Sequence, residues 1–258
     1  MQKEVTKISE SDIMEGMSSI SAVIKAIERK TTDRRINTVY VDSTKKSSKR
    51  REIAFLQRKG AELGFCVEFA DATTISEYTV GNSHGGIIAF CSGRNIPELR
   101  KDSVKERGVY YLLEGVEDPY NFGYAVRSIY AAGGDGIILT PRNWMGVAGV
   151  VARSSAGASE LIDMFVAEPE DAVDIFKSLG YKVACAGIRD SVSLFETDLS
   201  YPLFVVLGGE KRGISRAVLD KADEIVRIDY GNDFAGSLST AAASAVFAFE
   251  VYRSNRKA

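Results

Sequence analysis

The segment EDPYNFGYAVRS, residues 117–128, combines an amide and a guanidinium that could bind a polar ligand. Asn121 falls at a predicted helix start, and Arg127 follows six residues later among apolar neighbours such as Ala125 and Val126. An arginine near an apolar face either binds a specific anionic or polar partner or forms a structural salt bridge. The spacing leaves both interpretations open, and a guanidinium is a poor proton acceptor in either case.

The segment LGGEKRG, residues 207–213, follows a predicted strand and contains paired glycines. Ligands of open α/β sheets bind beyond the carboxyl ends of the strands, which makes this turn a candidate binding loop. Its spacing is neither that of a P-loop nor that of a dinucleotide-binding GxGxxG turn. Gly208 and Gly209 therefore indicate only a close backbone approach or a positive φ, so that a plain tight turn and a ligand loop both stay open.

A third segment, SLSTAAASAVFAFEVYR at residues 237–253, is a serine-initiated helix rich in small residues. Small side chains let another backbone pack closely against the helix. The segment thus predicts a helix that is buried, that contacts a second copy of the chain, or both.

Basic residues are concentrated in the first part of the chain. Residues 1–108 hold 19 Lys and Arg against 15 Asp and Glu, whereas residues 109–258 hold 14 against 20. Much of the positive excess falls in a basic run formed by Lys45, Lys46, Lys49, Arg50 and Arg51. This basic run is a candidate contact for nucleic-acid phosphates, and a solvated helix face explains it equally well.

Strand-like and helix-like patterns alternate along the chain, which predicts an α/β fold with parallel sheets and crossover helices. In the first part the pattern predicts helices at 18–30 and 48–63, and strands at 37–42, 65–70 and 85–90. In the second part it predicts strands at 108–114, 135–140, 181–187, 202–208 and 224–229. Helices are predicted there at 121–132, from near 145, at 169–179, after Ile214 and at 237–254.

The composition argues against several classes of protein. A chain of 258 residues with 45% hydrophobic and 26% charged residues is typical of a globular protein. No apolar window approaches the roughly 20 residues that cross a bilayer, and the first residues do not resemble a signal peptide, so we expect a cytoplasmic protein without a membrane partner. Three cysteines without CxxC spacing and a single histidine, His84, predict neither disulfides nor a metal site.

The three segments resemble, in order and in distance, the three motifs of the SpoU/TrmH family in the SPOUT superfamily of RNA methyltransferases. EDPYNFGYAVRS resembles motif one, VVLGGEKRGIS with DEIVRID resembles motif two, and GSLSTAAASAVFAFEVYR resembles motif three. The segment ARSSAGASE at 152–160 is also similar to the family. In the first part, GMSSISAVIKAI and SHGGIIAF resemble the ends of an L30e-like substrate-binding domain. There we expect His84 to be a hydrogen-bonded structural residue.

The resemblance implies a domain organisation, a cofactor and partners. It implies an L30e-like α/β domain at 1–98, a linker at 99–107, and a SPOUT α/β domain with a deep trefoil knot at 108–258. Members of the family form homodimers through the knotted domain. S-adenosyl-L-methionine is expected in the loops of the knot, at Thr140, Leu207, Gly208, Gly209, Ile228, Ser237 and Leu238.

The implied reaction is 2′-O-methylation of a ribose in RNA, with rRNA favoured over tRNA and with no metal. Arg127 stands at the family's catalytic position, where a permanently protonated donor would fix the target phosphate and stabilise developing alkoxide. Asn121 would orient Arg127 or the ribose. Glu210 would hold the pocket or the arginine by a charged hydrogen bond.

Two positions depart from the family's pattern. Ser239, which the resemblance places in the catalytic set, stands where motif three has asparagine, and Asp229 stands where motif two has proline. These departures motivate an alternative, a non-catalytic RNA-binding protein that retains the architecture. A Rossmann-type oxidoreductase is disfavoured, because no strand is followed by GxGxxG with an acidic residue about 20 positions later.

Overall fold

The computed structural model describes residues 13–79, 84–141 and 147–256. The chain divides into two compact units. The first comprises the described residues of Met1–Asn95 and Asn143–Leu161, and the second comprises those of Ile96–Arg142 and Ile162–Ala258.

The first unit contains a four-stranded mixed sheet with helices packed against it. Its strands, in the spatial order β1-β4-β2-β3, are β1 (Ile13–Glu15), β2 (Ile36–Asp42), β3 (Cys66–Ala70) and β4 (Ile87–Cys91). Strand β2 runs parallel to β3 and antiparallel to β4. The helices between the strands are α1 (Gly16–Glu28), α2 (Arg50–Leu63) and α3 (Ala72–Glu77). The core beneath α1 and α2 is aliphatic and includes Met14, Ile20, Val39 and Leu56.

The second unit is built on a seven-stranded sheet with the strand order β7-β6-β5-β10-β8-β11-β9, in which every pair is parallel. The strands are β5 (Val109–Glu114), β6 (Gly136–Leu139), β7 (Asp163–Val166), β8 (Lys182–Ala186), β9 (Val192–Ser193), β10 (Leu203–Gly208) and β11 (Glu224–Arg227). The crossover helices are α4 (Pro119–Ala131), α6 (Pro169–Ser178) and α7 (Arg216–Leu219), and helix α8 (Thr240–Asn255) follows the last strand. The predicted α/β class is confirmed.

An aromatic cluster fills one face of this sheet. The rings of Phe176 on α6 and Phe204 on β10 stack with centroids 4.1 Å apart, and Tyr181 meets Phe176 edge-on at 5.0 Å. Strands β5 and β10 are almost wholly buried, as expected for central strands of a parallel sheet covered by helices. This packing fixes the carboxyl ends of β5 and β10 side by side.

The described residues of 143–161 belong to the first unit, although the sequence prediction kept 108–258 together as one domain. Helix α5 (Ala148–Ser154) contacts β1 and α1, and Arg153 donates to the Glu15 carboxylate at 2.7 Å. Gly157 packs so tightly on α1 that a Cβ there would lie 2.4 Å from the Cβ of Ala22. These contacts are distant in sequence, so the alternation of strands and helices could not reveal them.

Four short elements were not predicted from the sequence, namely β1, α3, β7 and β9. Each has two to six residues, too few for a period of 2 or 3.6 to stand out. Strands β1, β7 and β9 lie at the edges of their sheets.

Candidate functional site

Two glycine turns meet at the carboxyl ends of β5 and β10. Gly208 pairs with Glu114 in the sheet register, and the Gly209 amide donates to the Glu114 carbonyl at 2.6 Å. A Cβ on Gly209 would lie 2.2 Å from the carbonyl oxygen of Gly115, a distance that only glycine permits. The paired glycines are thus required for a close backbone approach, and the same turn also borders two cavities.

Helix α4 begins at this junction and brings motif one to motif two. The Asp118 side chain caps the helix by accepting from the Tyr120 and Asn121 amides, both at 2.8 Å. The cap sets Asn121 in the first turn, where its Nδ2 donates to Glu210 Oε1 at 3.1 Å. Both side chains line a small pocket of about 250 Å³ with Gly115, Val116, Glu117, Asp118, Lys211 and Thr240.

Arg127 lies on the exposed side of α4, so the interpretation of a charge held near a buried face is wrong. The helix buries Phe122, Val126 and Ile129 at helical spacing, and this periodicity turns position 127 to solvent. Within the described ranges, the guanidinium makes no hydrogen bond or ion pair and lines neither cavity. Of the two interpretations left open by the sequence, the structure gives no support to an internal salt bridge.

A larger open cavity of about 1050 Å³ lies beyond the ends of β8, β10 and β11. It brings together most of the residues that the family resemblance implied for the cofactor: Leu207, Gly208, Gly209, Ile228, Ser237 and Leu238, together with Glu210. Thr140 is not among the lining residues. It follows β6, which β5 separates from β10 in the sheet.

Ser239 caps α8 and does not line either cavity. Its Oγ accepts from the Ala242 amide at 3.3 Å, a bond typical of serine at a helix N-terminus. The next residue, Thr240, lines both cavities and donates from Oγ1 to the Gly208 carbonyl at 3.1 Å. Thr240 was not predicted as a site residue, because its position in a small-residue helix does not distinguish it from its neighbours.

The sequence prediction also omitted the loop after β8. Residues 186–190 line the larger cavity, as do several charged side chains. The charged lining residues are Arg189, Asp190, Glu210, Arg216, Asp220 and Arg227. The rule that ligands bind at the carboxyl ends of parallel strands could have indicated this loop, since β8 is the neighbour of β10.

The rim of the small pocket carries an exposed ion pair. Lys211 Nζ lies 2.7 Å from Glu117 Oε2, and this hydrogen bond raises the pKa of Lys211.

Cys185 on β8 is buried in the seven-stranded sheet, and burial raises the pKa of its thiol to about 12. A thiol in that state is inert at neutral pH.

The basic run lies in the first unit, between β2 and the first turn of α2. All its members are exposed except Lys49, which is partly buried and binds Glu52 at 3.0 Å. Lys46 places its ammonium 4.0 Å from the centre of the Phe69 ring.

His84 Nδ1 accepts a hydrogen bond of 3.1 Å from the Gly86 amide, as expected for a hydrogen-bonded histidine.

The described residues also bear on metal binding and on membrane insertion. They contain no group of three or more His, Cys, Asp or Glu side chains arranged to hold a metal ion. They also contain no helix long and apolar enough to cross a membrane.

Known proteins resemble this chain in sequence and in fold. The 23S rRNA (guanosine-2′-O-)-methyltransferase RlmB of Burkholderia sp is 26% identical over 249 residues, which cover 95% of this chain and 97% of that protein. RlmB of Shewanella oneidensis is 28% identical over 209 residues, covering 78% and 83%.

The crystal structure of an AdoMet-bound rRNA methyltransferase from Sinorhizobium meliloti superposes with a TM-score of 0.74. The match covers 93% of this chain and 86% of that one, and at 23% identity it concerns the fold alone. The model of the SpoU rRNA methylase family matches residues 108–249, more than half of the 258 residues. This chain therefore belongs to the SpoU rRNA methylase family.

Proposed function

We propose that this protein transfers a methyl group from S-adenosyl-L-methionine to the 2′-hydroxyl of a ribose in RNA, with rRNA favoured over tRNA and the cytoplasm as its location. The observation that carries the proposal is the junction of motifs one and two, where the Asn121 side-chain amide donates a hydrogen bond of 3.1 Å to the Glu210 carboxylate. Glu210 borders both the small pocket and the larger cavity. RlmB relatives named as rRNA 2′-O-methyltransferases support the choice of substrate.

The larger cavity fits S-adenosyl-L-methionine in size and in chemistry. Its volume of about 1050 Å³ is ample for a ligand of this size. Ile228 and Leu238 offer apolar surface for an adenine ring, and the charged lining offers partners for an amino group and a carboxylate. When bound, the cofactor supplies a methyl group activated by a positively charged sulfur.

Gly208 permits a close backbone approach beside this cavity. A Cβ on Gly208 would lie 2.6 Å from the backbone carbon of Gly213, so the two backbones touch where any larger residue would push them apart. The bond from Thr240 Oγ1 to the Gly208 carbonyl ties α8 to the same turn. Both features hold backbone groups of motif two in place for a ligand before it binds.

The reaction needs an aligned ribose hydroxyl and an assisted loss of its proton. Asn121, held by Glu210, can orient the ribose from the small pocket. Arg127 is exposed and can donate to a phosphate or ribose oxygen of the RNA, which places positive charge near the developing alkoxide. The proton passes to a neighbouring group or to water.

RNA binding by the first unit is the second part of the proposal. The exposed members of the basic run offer ammonium and guanidinium groups to phosphates, whereas Lys49 already binds Glu52. Lys46 lies over the exposed ring of Phe69, which adds a flat apolar surface beside the charge.

A homodimer through the second unit is the third part. Helices α4 and α8 pack on one another and carry large exposed aromatic side chains. These are Tyr120, Tyr124, Phe249 and Tyr252. Exposed aromatic groups of this kind are typical of protein interfaces.

The alternative of a non-catalytic RNA-binding protein rested on Ser239 and Asp229. Ser239 serves as the cap of α8, and Asp229 binds Ser193 and Arg227, so neither side chain occupies the cavity lining. This favours the enzyme, because neither departure blocks the proposed cofactor site.

Two measurements on the full chain test the proposal. Labelled S-adenosyl-L-methionine should transfer its methyl group to bulk RNA and not to 2′-deoxy substrates. Calorimetry should detect cofactor binding without RNA. RNA binding without any cofactor binding or methyl transfer would instead establish the non-catalytic alternative.

A further inference from the structure

The edge strand β9 has only two residues and is held by few backbone bonds. It pairs with β11 through Val226 with Val192 and Arg227 with Ser193. The Leu194 amide adds a bond of 2.8 Å to the Arg227 carbonyl. So short a strand is marginal by itself, and side-chain bonds must contribute to its position.

Asp229 supplies those bonds with both of its carboxylate oxygens. Oδ2 accepts from the Ser193 hydroxyl, and Oδ1 accepts from Arg227 Nε at 2.7 Å. The same guanidinium donates to the Ser191 carbonyl. The Ser193 side chain is buried. Removal of the Asp229 carboxylate that accepts its hydrogen bond would therefore destabilise the folded protein more than the loss of an exposed contact.

The loop held in this way is a wall of the larger cavity. Residues 187–190 lie between β8 and β9 and line the cavity, where Ile188 is 75% exposed. Arg227, on the other side of the network, lines the cavity as well. Asp229 itself is not among the lining residues, and its side chain is 39% exposed.

The charge of Asp229 also matters for the electrostatics of the wall. The hydrogen bond from Ser193 lowers the pKa of Asp229, burial opposes this, and Arg227 lowers it further, so the group is ionised at neutral pH. An ionised Asp229 offsets the charge of Arg227, which lines the cavity proposed for a positively charged ligand. The proline of the family's motif two has no side chain that could do this.

We propose that Asp229 is a positioning residue, which binds Ser193 and Arg227, fixes loop 187–193 as a wall of the cavity, and thereby strengthens binding of S-adenosyl-L-methionine. The ligand identity rests on the proposed function. The anchoring of the loop does not.

Two readouts on the full chain test this inference. Hydrogen exchange followed by mass spectrometry should show faster exchange at 187–194 in Asp229→Ala, with β8 and β10 unchanged. Calorimetry should show cofactor binding weakened about tenfold, the effect of one lost charge-assisted bond. The methyl-transfer rate at saturating cofactor should stay that of the wild type.

Matched variants separate positioning from general damage. Asp229→Asn keeps an acceptor for Ser193 and should recover part of the affinity, whereas Ser193→Ala should weaken binding in the same direction. The double variant Asp229→Ala with Ser193→Ala should bind the cofactor about as weakly as Asp229→Ala alone, because both substitutions remove the same hydrogen bond. Asp174→Ala breaks a pair with Lys221, neither of which lines the cavity, and should change neither readout.

The inference is overturned if Asp229→Ala leaves loop exchange and cofactor affinity at wild-type values. A loss of rate at saturating cofactor with unchanged affinity also overturns it. If Asp229→Ala does not fold, Asp229→Asn and Ser193→Ala carry the same comparison. A wild-type chain that binds no cofactor contradicts the proposed function, and loop exchange then still decides whether Asp229 holds the loop.

Discussion

Asn121 and Glu210 restrain one another through an amide-to-carboxylate hydrogen bond, although 89 residues separate them in sequence. Thr240 is restrained in the same region by its bond to the Gly208 carbonyl. Arg127 differs, because its exposed side chain has no such bond among the described residues. A permanently charged side chain that forms no ion pair with the described residues is suited to bind a phosphate group of a substrate.

Replacement of Arg127 should affect the chemical step more than the cofactor. We expect Arg127→Ala to lower the rate of methyl transfer about 100- to 1000-fold, the usual effect of removing a donor to a developing oxyanion. Cofactor affinity measured by calorimetry should stay unchanged, because Arg127 does not line the larger cavity. Arg127→Lys keeps the charge without the planar fork and should retain partial activity. Full activity in Arg127→Ala would refute the assigned role.

Burial of Cys185 makes stability depend on alkaline pH. Its pKa is raised to about 12 in the folded protein, whereas an unfolded thiol ionises near about 8.5. A group whose pKa is raised by folding stabilises the folded protein fully at a pH below the pKa of the unfolded state. This stabilisation is lost as the pH rises toward the pKa of the folded state. The free energy of unfolding of the wild type, measured with denaturant, should therefore fall between about pH 8.5 and about 12. The free energy of unfolding of Cys185→Ala should fall less steeply over the same range. Equal slopes would contradict the assignment.

At the scale of elements, the site depends on two neighbouring parallel strands and the turns that follow them. Strands β5 and β10 bring Gly115 and Gly209 into backbone contact, and α4 and α8 start from the same end of the sheet. The Asp118 and Ser239 side chains cap these helices and set where each begins. The precision of the site thus comes from strand pairing and helix capping rather than from long loops.

Gly209→Ala tests the contact between the two turns. The added methyl group would lie 2.2 Å from the Gly115 carbonyl oxygen, so one backbone must move. We expect a loss of about 1–3 kcal/mol in the free energy of unfolding, as for other overpacked positions, together with weaker cofactor binding. Gly231→Ala is the control, because a Cβ there meets nothing within 4 Å. Identical denaturation curves for both variants would show that the contact is not tight.

At the scale of the whole molecule, the chain passes between the two units more than once. It leaves the first unit after Asn95, contributes Asn143–Leu161 to that unit again, and then returns to the second. The family match at 108–249 therefore spans parts of both units. A buried ion pair within the first unit, Arg34 with Glu160 at 3.1 Å, holds the returning segment.

Removal of one partner of this pair should be strongly destabilising. Arg34 and Glu160 are 3% and 4% exposed, so Glu160→Ala leaves a buried guanidinium without its counter-charge. We expect a loss of about 3–5 kcal/mol in the free energy of unfolding of the first unit. The double variant Arg34→Met with Glu160→Leu should recover much of it. The exposed Lys211 and Glu117 pair is the control, where Lys211→Ala should leave the free energy of unfolding almost unchanged.

The proposed homodimer can be tested on its exposed aromatic face. Phe249 on α8 is 49% exposed, and Phe249→Glu places a charge where a second copy would bury an apolar ring. Sedimentation should show a dimer for the wild type and a shift toward monomer for the variant. Phe195→Glu, equally exposed but outside α4 and α8, should remain dimeric. A monomeric wild type would contradict this part of the proposal.

Local pattern determined the α/β class and most element positions. The predicted strand at 37–42 corresponds to Ile36–Asp42, and the one at 202–208 to Leu203–Gly208, because apolar runs and turn residues are local signals. The family resemblance pointed to Asn121 and Glu210, and the glycine turn was a candidate from its place after a predicted strand, before any contact was known. The trefoil knot, which the resemblance implies, stays a prediction.

Tertiary structure alone decided which distant residues meet. It assigned the described residues of 143–161 to the first unit, placed Thr140 outside the larger cavity, and left Asp229 outside the cavity lining. Each outcome depends on strand order and on side-chain bonds between residues tens of positions apart. A period of 2 or 3.6 residues reports which face of one element is buried, and it carries no information about which other element covers that face.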